Sequence, residues 1–254
     1  MSNNWTREEH ILAFNLYNRI PFGKTHRNNR EVIKLAHIIG RTPSSVGMKL
    51  GNFARLDPAL QARGITGLKN GAKGEKDIWD EFKSNPEDLA YESERLLAER
   101  INLDVVKSAG IDTDDLPAQG KEREAMVKQR VNQSFFRRRV LSAYEHQCCI
   151  TGLAIPQLLV AGHIIPWAQD TENRLNPHNG LCLNMIHDKA FDRGLMWIDE
   201  KFIIHYEDEF REHTKTSSNA YEWLIQYEGK KLQLPPNFTP STSLLKQHKL
   251  GAWR

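Results

Sequence analysis

The chain has 254 residues, with 35 Lys and Arg against 32 Asp and Glu, for a formal net charge of +3. That length holds one large domain or two modest ones, and the composition is that of an ordinary globular protein. No run nears the roughly 18 consecutive apolar residues of a membrane span, and the opening MSNNWTREEH lacks the apolar core of a secretory leader. A cytoplasmic location without a membrane partner is therefore expected. Cys148, Cys149 and Cys182 are too few for a disulfide framework, and the adjacent pair lacks the spacing of a structural zinc site, so reduced thiols and no structural zinc are expected.

Charge falls in blocks. In residues 1–55 the cations Arg7, Arg19, Lys24, Arg27, Arg30, Lys34, Arg41, Lys49 and Arg55 face only Glu8, Glu9 and Glu31. Acidic residues dominate 75–115, and 121–139 is basic again. The alternation fits two nucleic-acid-facing surfaces joined by a solvated connector, and equally fits charges on exposed helix faces.

A helix is predicted over 6–19, because Thr6 and Glu9 form a capping box and Ile11, Leu12, Leu16 and Tyr17 recur at helical spacing, with Trp5 placed as a staple. A second runs over 29–39 and stops at Gly40. A third starts at Thr42 with Pro43 in its first turn and continues through Val46, Met48, Leu50 and Phe53. The tight links suggest a helix-turn-helix arrangement. Trp5-Thr6-Arg7-Glu8-Glu9 and the stretch from Gly40 to Val46 resemble the opening and the third-helix entry of Myb/SANT-like repeats. The resemblance implies a third helix in a DNA major groove, with Ser44, Ser45 and Lys49 at bases or phosphates. A plain three-helix packing unit is the alternative, and SANT-like folds also bind proteins.

Residues 61–76, rich in Gly and Lys, read as a loop or hinge. Helices follow over 76–83 and, after Asn85-Pro86, to about Ile101. The acidic, Pro- and Gly-containing stretch 109–120 reads as a linker, dividing a helical domain at 1–108 from a second domain at 121–254. Residues 121–143 then form a helix, with Val127, Val131, Phe135, Val140 and Leu141 toward a core and Lys128, Arg130, Arg137 and Arg138 directed elsewhere.

Residues 158–165 are a short apolar run fitting a buried strand, with His163 near its end and Pro166 stopping it. Residues 169–178 form a polar loop, and Asn179 opens a segment whose later part is helical, carries His187, and ends at Gly194. Residues 195–206 read as strand, turn, strand. The chain is then polar to about Asn219, with a last helix over 243–250 bearing Lys246, His248 and Lys249 as candidate phosphate contacts.

Taken together, Cys149 to Gly152, Ala161 to Pro166, Asn179 to Leu183 and His187 to Gly194 resemble, in order and spacing, the C-x-T-G, A-x-H-I-x-P, N-G-L-x-L and H-x-x-F-D-x-G motifs of a subgroup of HNH endonucleases. Arg130, Gln133, Phe136 and Arg137 resemble the helix that precedes that site, and are DNA-facing candidates. The resemblance implies an α+β fold, with an all-helical N-terminal domain before a ββα-metal core that grips one divalent ion, Mg²⁺ foremost and Mn²⁺ next. His163 would be the general base, an imidazole suiting a proton acceptor near neutral pH. His187 would be the metal ligand, and Asn179 would fix the loop and the orientation of His163. Many HNH sites carry Asp or His immediately before the base, where this chain has Gly162. Either water and phosphate complete the shell, or Asp188 or Asp192 contributes, Asp192 having also a bracing role open to it. His178 stands in reserve as a ligand. The expected function is metal-dependent cleavage of double-stranded DNA by a restriction or defence enzyme, with a homodimer and dependence on base modification left open. The alternatives are a DNA-binding regulator that has lost cleavage and a nuclease acting on structured RNA.

Overall fold

The structure, a computed structural model, describes residues 4–65, 73–214, 218–236 and 238–251. Residues 66–72, part of the stretch expected as a loop, lie outside them. The chain divides into two compact units, Met1–Phe135 and Phe136–Arg254. Among the described residues no helix is long and apolar enough to cross a membrane.

The first unit is helical: α1 Arg7–Arg19, α2 Arg30–Ile38, α3 Pro43–Ala54, α4 Pro58–Ala62, α5 Lys73–Phe82, α6 Pro86–Arg100, α7 Val105–Ala109 and the start of α8 Lys121–Ala143. Thr6 caps α1 in a complete capping box with Glu9, and Thr42 caps α3 ahead of Pro43. Gly40, at φ +66°, lets the chain leave α2 in the left-handed region.

α1 packs against α2, α3, α5 and α6. Every residue from Glu9 to Tyr17 is buried, so α1 is a central helix and not a surface helix with one apolar stripe. Phe14 lies 4.8 Å from Phe53 and 5.3 Å from Trp79, ring centre to ring centre. A smaller cluster joins Val106, Ala109, Val127 and Val131, with Tyr91, Ile111 and Leu116 packed against it. Residues 110–120 carry no helix or strand, but Arg130 donates to the Asp112 carbonyl at 2.6 Å and pairs with Asp115 at 2.5 Å.

An ion pair is buried with this core. The Lys49 ammonium bonds the fully buried Glu75 carboxylate, which also accepts from Asn52 at 3.0 Å, and it sits 4.9 Å above the Trp5 ring. Burial pushes the Glu75 pKa up, but the bonds from Lys49 and Asn52 outweigh it and hold the carboxyl below its usual value.

The second unit contains the end of α8, then β1 Leu159–His163, β2 Gly180–Asn184, α9 Met185–Asp192, β3 Met196–Ile198, β4 Ile204–Tyr206, α10 Asp208–Thr214, α11 Ser218–Trp223 and α12 Thr242–Lys249. β1 and β2 form an antiparallel pair with Gly162 opposite Leu181 and His163 opposite Gly180, and β3 pairs antiparallel with β4. α9 packs on β1, β2 and β3, and α12 on β3. The architecture is thus an all-helical region followed by a mixed ββα region, consistent with an HNH-like core. His248, a candidate for phosphate contact from its neighbours in sequence, is instead buried and stacked on Phe191 at 3.7 Å. Lys249 lies 3.9 Å over the Trp197 ring.

Removing one partner of the buried pair strands the other charge, at a cost of about 3–5 kcal/mol, whereas removing both is far milder. Lys49→Met is therefore expected to lower the denaturant midpoint of the first unit sharply, and Lys49→Met with Glu75→Leu to recover most of the loss.

Candidate functional site

His163 ends β1, and its ring is fixed from three sides. Phe136, on α8, stacks on it at 3.7 Å with planes 13° apart; Trp167 meets it edge-on at 5.7 Å; and its Nε2 lies 3.0 Å from the Arg174 carbonyl. A carbonyl can only accept, so Nε2 carries the proton and Nδ1 keeps its lone pair. Burial pushes the imidazole pKa below its ordinary value, against smaller opposing pulls from the Arg174 carbonyl and the Asp192 charge. The ring is therefore neutral near pH 7, with a bare nitrogen able to take a proton.

The space for this stack depends on a glycine. A methyl at Gly180, opposite His163, would sit 2.5 Å from Val140 Cγ2 and 2.9 Å from Phe136 Cζ, closer than real contacts allow. A side chain there would force Val140 or Phe136 to shift.

Asn179 is fully buried and ties down the loop that carries Arg174. Its Oδ1 accepts from the Ile165 amide at 2.9 Å, and its Nδ2 donates to the carbonyls of Ile165 at 3.1 Å and Asn173 at 3.3 Å. Its own carbonyl accepts from the Ile164 amide at 2.9 Å. Both ends of the loop are thus joined, and Arg174 braces its middle by donating to the Trp167 carbonyl at 2.8 Å. Asn179 touches backbone, not a group placed to react.

The remaining candidates lie on α9. His187 is 1 % exposed, and Asn184, the N-cap of the helix, accepts from the Ile186 and His187 amides and faces His187 Nδ1 at 3.1 Å. The Asn184 oxygen thereby puts the ring proton on Nδ1 and leaves Nε2 bare; that atom is buried and has no partner. Burial drives the His187 pKa down to about 4, so the ring is neutral, as a metal ligand must be. The Asp188 carboxylate lies against Gly162, the residue before His163. Its burial, with the Asp192 charge adding to it, pushes that carboxyl up to about 6. Asp192 is exposed, and its charge reaches both His163 and Asp188. Asp188 and Asp192, four residues apart, share a helix face, whereas His187 points about 100° around the axis from Asp188. Consistent with that divergence, no three His, Cys, Asp or Glu side chains among the described residues converge as a ready-made metal cage.

Asn184 is a residue that motif reasoning passed over. The 148–152 turn holds it in turn: its backbone amide donates to Cys148 Sγ at 3.3 Å and its side-chain Nδ2 to Thr151 Oγ1 at 3.4 Å. The sequence marks Asn184 only as a residue able to cap a helix. Cys148, Cys149 and Cys182 are buried free thiols, and burial pushes Cys149 well up and Cys182 up to about 12, so both stay protonated. His178 Nδ1 meets the Thr239 carbonyl at 2.6 Å.

Of the residues marked for DNA, Ser44 and Gln133 are exposed and Ser45 is half-buried, its amide spent on the Thr42 cap. Lys49 lies inside the helical unit, and Arg130 is paired with Asp115. Arg137 donates to the Pro156 carbonyl at 3.1 Å.

A family model described as HNH endonuclease matches residues 148–199, the stretch that holds β1, β2, α9 and β3, and an HNH domain is therefore present there. None of the curated proteins compared matches the chain.

Because burial under Phe136 lowers the His163 pKa, exposing the ring raises it. An NMR pH titration of the metal-free protein should place the His163 midpoint below 6.5, and Phe136→Ala should move it upward.

Proposed function

We propose that the HNH domain makes this protein a divalent-metal-dependent endonuclease that hydrolyses phosphodiester bonds in double-stranded DNA. The observation that carries the reading is the state of His163. A neutral imidazole, anchored through Nε2 and bare at Nδ1, ends a strand within the matched segment. Nδ1 takes the proton from the water that attacks the scissile phosphorus, and the resulting imidazolium is stabilised by the Arg174 carbonyl and the Asp192 charge. Asn179 is a positioning residue: by fixing the loop it keeps the Arg174 carbonyl in place, and so the tautomer.

The α9 carboxylates Asp188 and Asp192, which share a helix face, fit a hard, water-rich ion such as Mg²⁺ or Mn²⁺, which commonly takes one or two carboxylates and fills its remaining positions with water and phosphate oxygens; His187 is a ligand in this reading only from another side of the helix. When bound, such an ion supplies charge to offset the pentavalent phosphorus and the departing oxygen. The Asp188 carboxylate against Gly162 supports this placement.

The helical unit fits a role in duplex contact. α1, α2 and α3 pack on one another as a three-helix set, and Ser44 near the start of α3 is exposed, which suits a Myb/SANT-like reader. Ser45, Gln133 and Arg137 are further contacts in this reading. Lys49 is not, because its charge is spent on the buried Glu75 carboxylate, whereas Arg130 is held by a surface pair with the exposed Asp115. A restriction or defence role is the one we propose for such a pairing of reader and nuclease.

The test compares plain duplex DNA, methylated or hydroxymethylated duplex and structured RNA in one assay with Mg²⁺ or Mn²⁺. Duplex DNA should be cut, and His163→Ala should slow cutting by about 10²- to 10⁴-fold, the usual worth of a general base, while DNA binding is unchanged. Unimpaired cutting by His163→Ala would overturn the role of His163. Tight duplex binding with no metal-dependent cutting would make the protein a DNA-binding regulator, and exclusive cutting of RNA would reassign its substrate.

A further inference from the structure

We propose that Gly162 is a positioning residue for the metal site: its missing side chain is what allows the Asp188 carboxylate to lie against β1 beside His163, where it serves as the principal protein ligand of the divalent ion. The inference rests on the endonuclease reading and deepens it.

Gly162 has no backbone reason to be glycine. It lies in the regular antiparallel ladder opposite Leu181, and it is not among the glycines with positive φ. Glycine within a strand weakens it, having no side chain to pack and more backbone entropy to lose. What the position gains is room. A Cβ at Gly162 would overlap Asp188 Oδ1 and approach its Cγ at 3.7 Å, with Leu183 Cδ1 next at 3.9 Å. The space of a side chain on the residue preceding the base is therefore filled by a carboxylate from α9.

That carboxylate is placed without a donor to satisfy it. Its surroundings comprise the protein interior, the like charge of Asp192 and the weaker counter-charge of Lys189, with no hydrogen bond among them. The Glu75 carboxylate accepts from Lys49 and Asn52, whereas the half-buried Asp188 has no such bond. His187, the adjacent residue, points about 100° around the helix axis from Asp188 and does not share this position. A carboxylate without a donor, laid over a vacated side-chain position beside the base, offers its oxygens to a cation. Asp192, on the same helix face, is exposed and adds charge at longer range.

A double-mutant cycle read by Mn²⁺ binding tests this, using electron paramagnetic resonance of the free ion and the full-length protein. Asp188→Asn and Gly162→Ala should each weaken Mn²⁺ binding at least tenfold. The double variant should bind no more weakly than Asp188→Asn alone, because both changes act through one carboxylate. His163→Ala should retain Mn²⁺ affinity. Thermal unfolding of each variant shows whether it is folded, and Asp188→Asn, which adds no atoms to the site, decides the matter if Gly162→Ala fails to fold. Undiminished Mn²⁺ affinity in Asp188→Asn, in a protein that still cuts DNA, would overturn the inference and leave the endonuclease reading standing. A further tenfold loss from Gly162→Ala on the Asp188→Asn background would overturn the role given to Gly162. A wild-type protein that neither binds Mn²⁺ nor cuts would overturn the endonuclease reading itself, and the inference with it.

Discussion

The carboxamide of Asn179 makes three hydrogen bonds to backbone, one accepted from the Ile165 amide and two donated to the carbonyls of Ile165 and Asn173. A loop of polar residues has little of its own to hold it in one conformation, and ordering it costs roughly 1–2 kcal/mol of backbone entropy per residue. Three bonds from one buried side chain, together with the Arg174 and Trp167 brace, offset part of that cost and set where the Arg174 carbonyl points. The carbonyl selects the tautomer of His163. The tautomer then leaves Nδ1 as the nitrogen with a free lone pair. Phe136 and Gly180 complete the arrangement from the other side, the ring covering the imidazole and the glycine making room for the ring.

In the helical unit Lys49 is paired with Glu75 and Arg41 with Glu9 at 2.8 Å, while Glu75 Oε2 and Asn132 Oδ1 are buried without a hydrogen bond. In the second unit His187 Nε2 is buried without a partner, and the Asp188 carboxyl is raised by burial and a like charge. Leaving such groups unsatisfied costs about 1–3 kcal/mol each. Since both units contain them, an unpartnered atom points to the site only together with its position in the matched segment.

Local signals were readable where the physics is local. The capping box at Thr6 and Glu9, the Thr42-Pro43 start of α3 and the limits of α8 all follow from residues within a turn or two of each other. The order of the four motifs points to the same segment that the family model covers. α4 and α7, at five residues each, are too short to show a helical period. β2 was hidden because Gly180 to Leu183 are all buried, so no alternation of apolar and polar residues announces a strand. Lys49 looked like a surface cation because its partner, Glu75, lies on another helix; Arg130 looked free because Asp115 sits in a stretch that reads as linker. The bond from Asn184 to His187, and the carboxylate over Gly162, are products of tertiary packing, and no spacing in the sequence encodes them.

The central claim is that the fold presents His163 as a neutral base with Nδ1 bare and Nε2 anchored. Long-range ¹H–¹⁵N correlation spectra of the imidazole, recorded on the metal-free protein at neutral pH, report the tautomer directly. The account predicts a single Nε2-protonated ring, with Nδ1 at the shift of an unprotonated nitrogen. A ring protonated on Nδ1, or one averaging between the two tautomers, would contradict it.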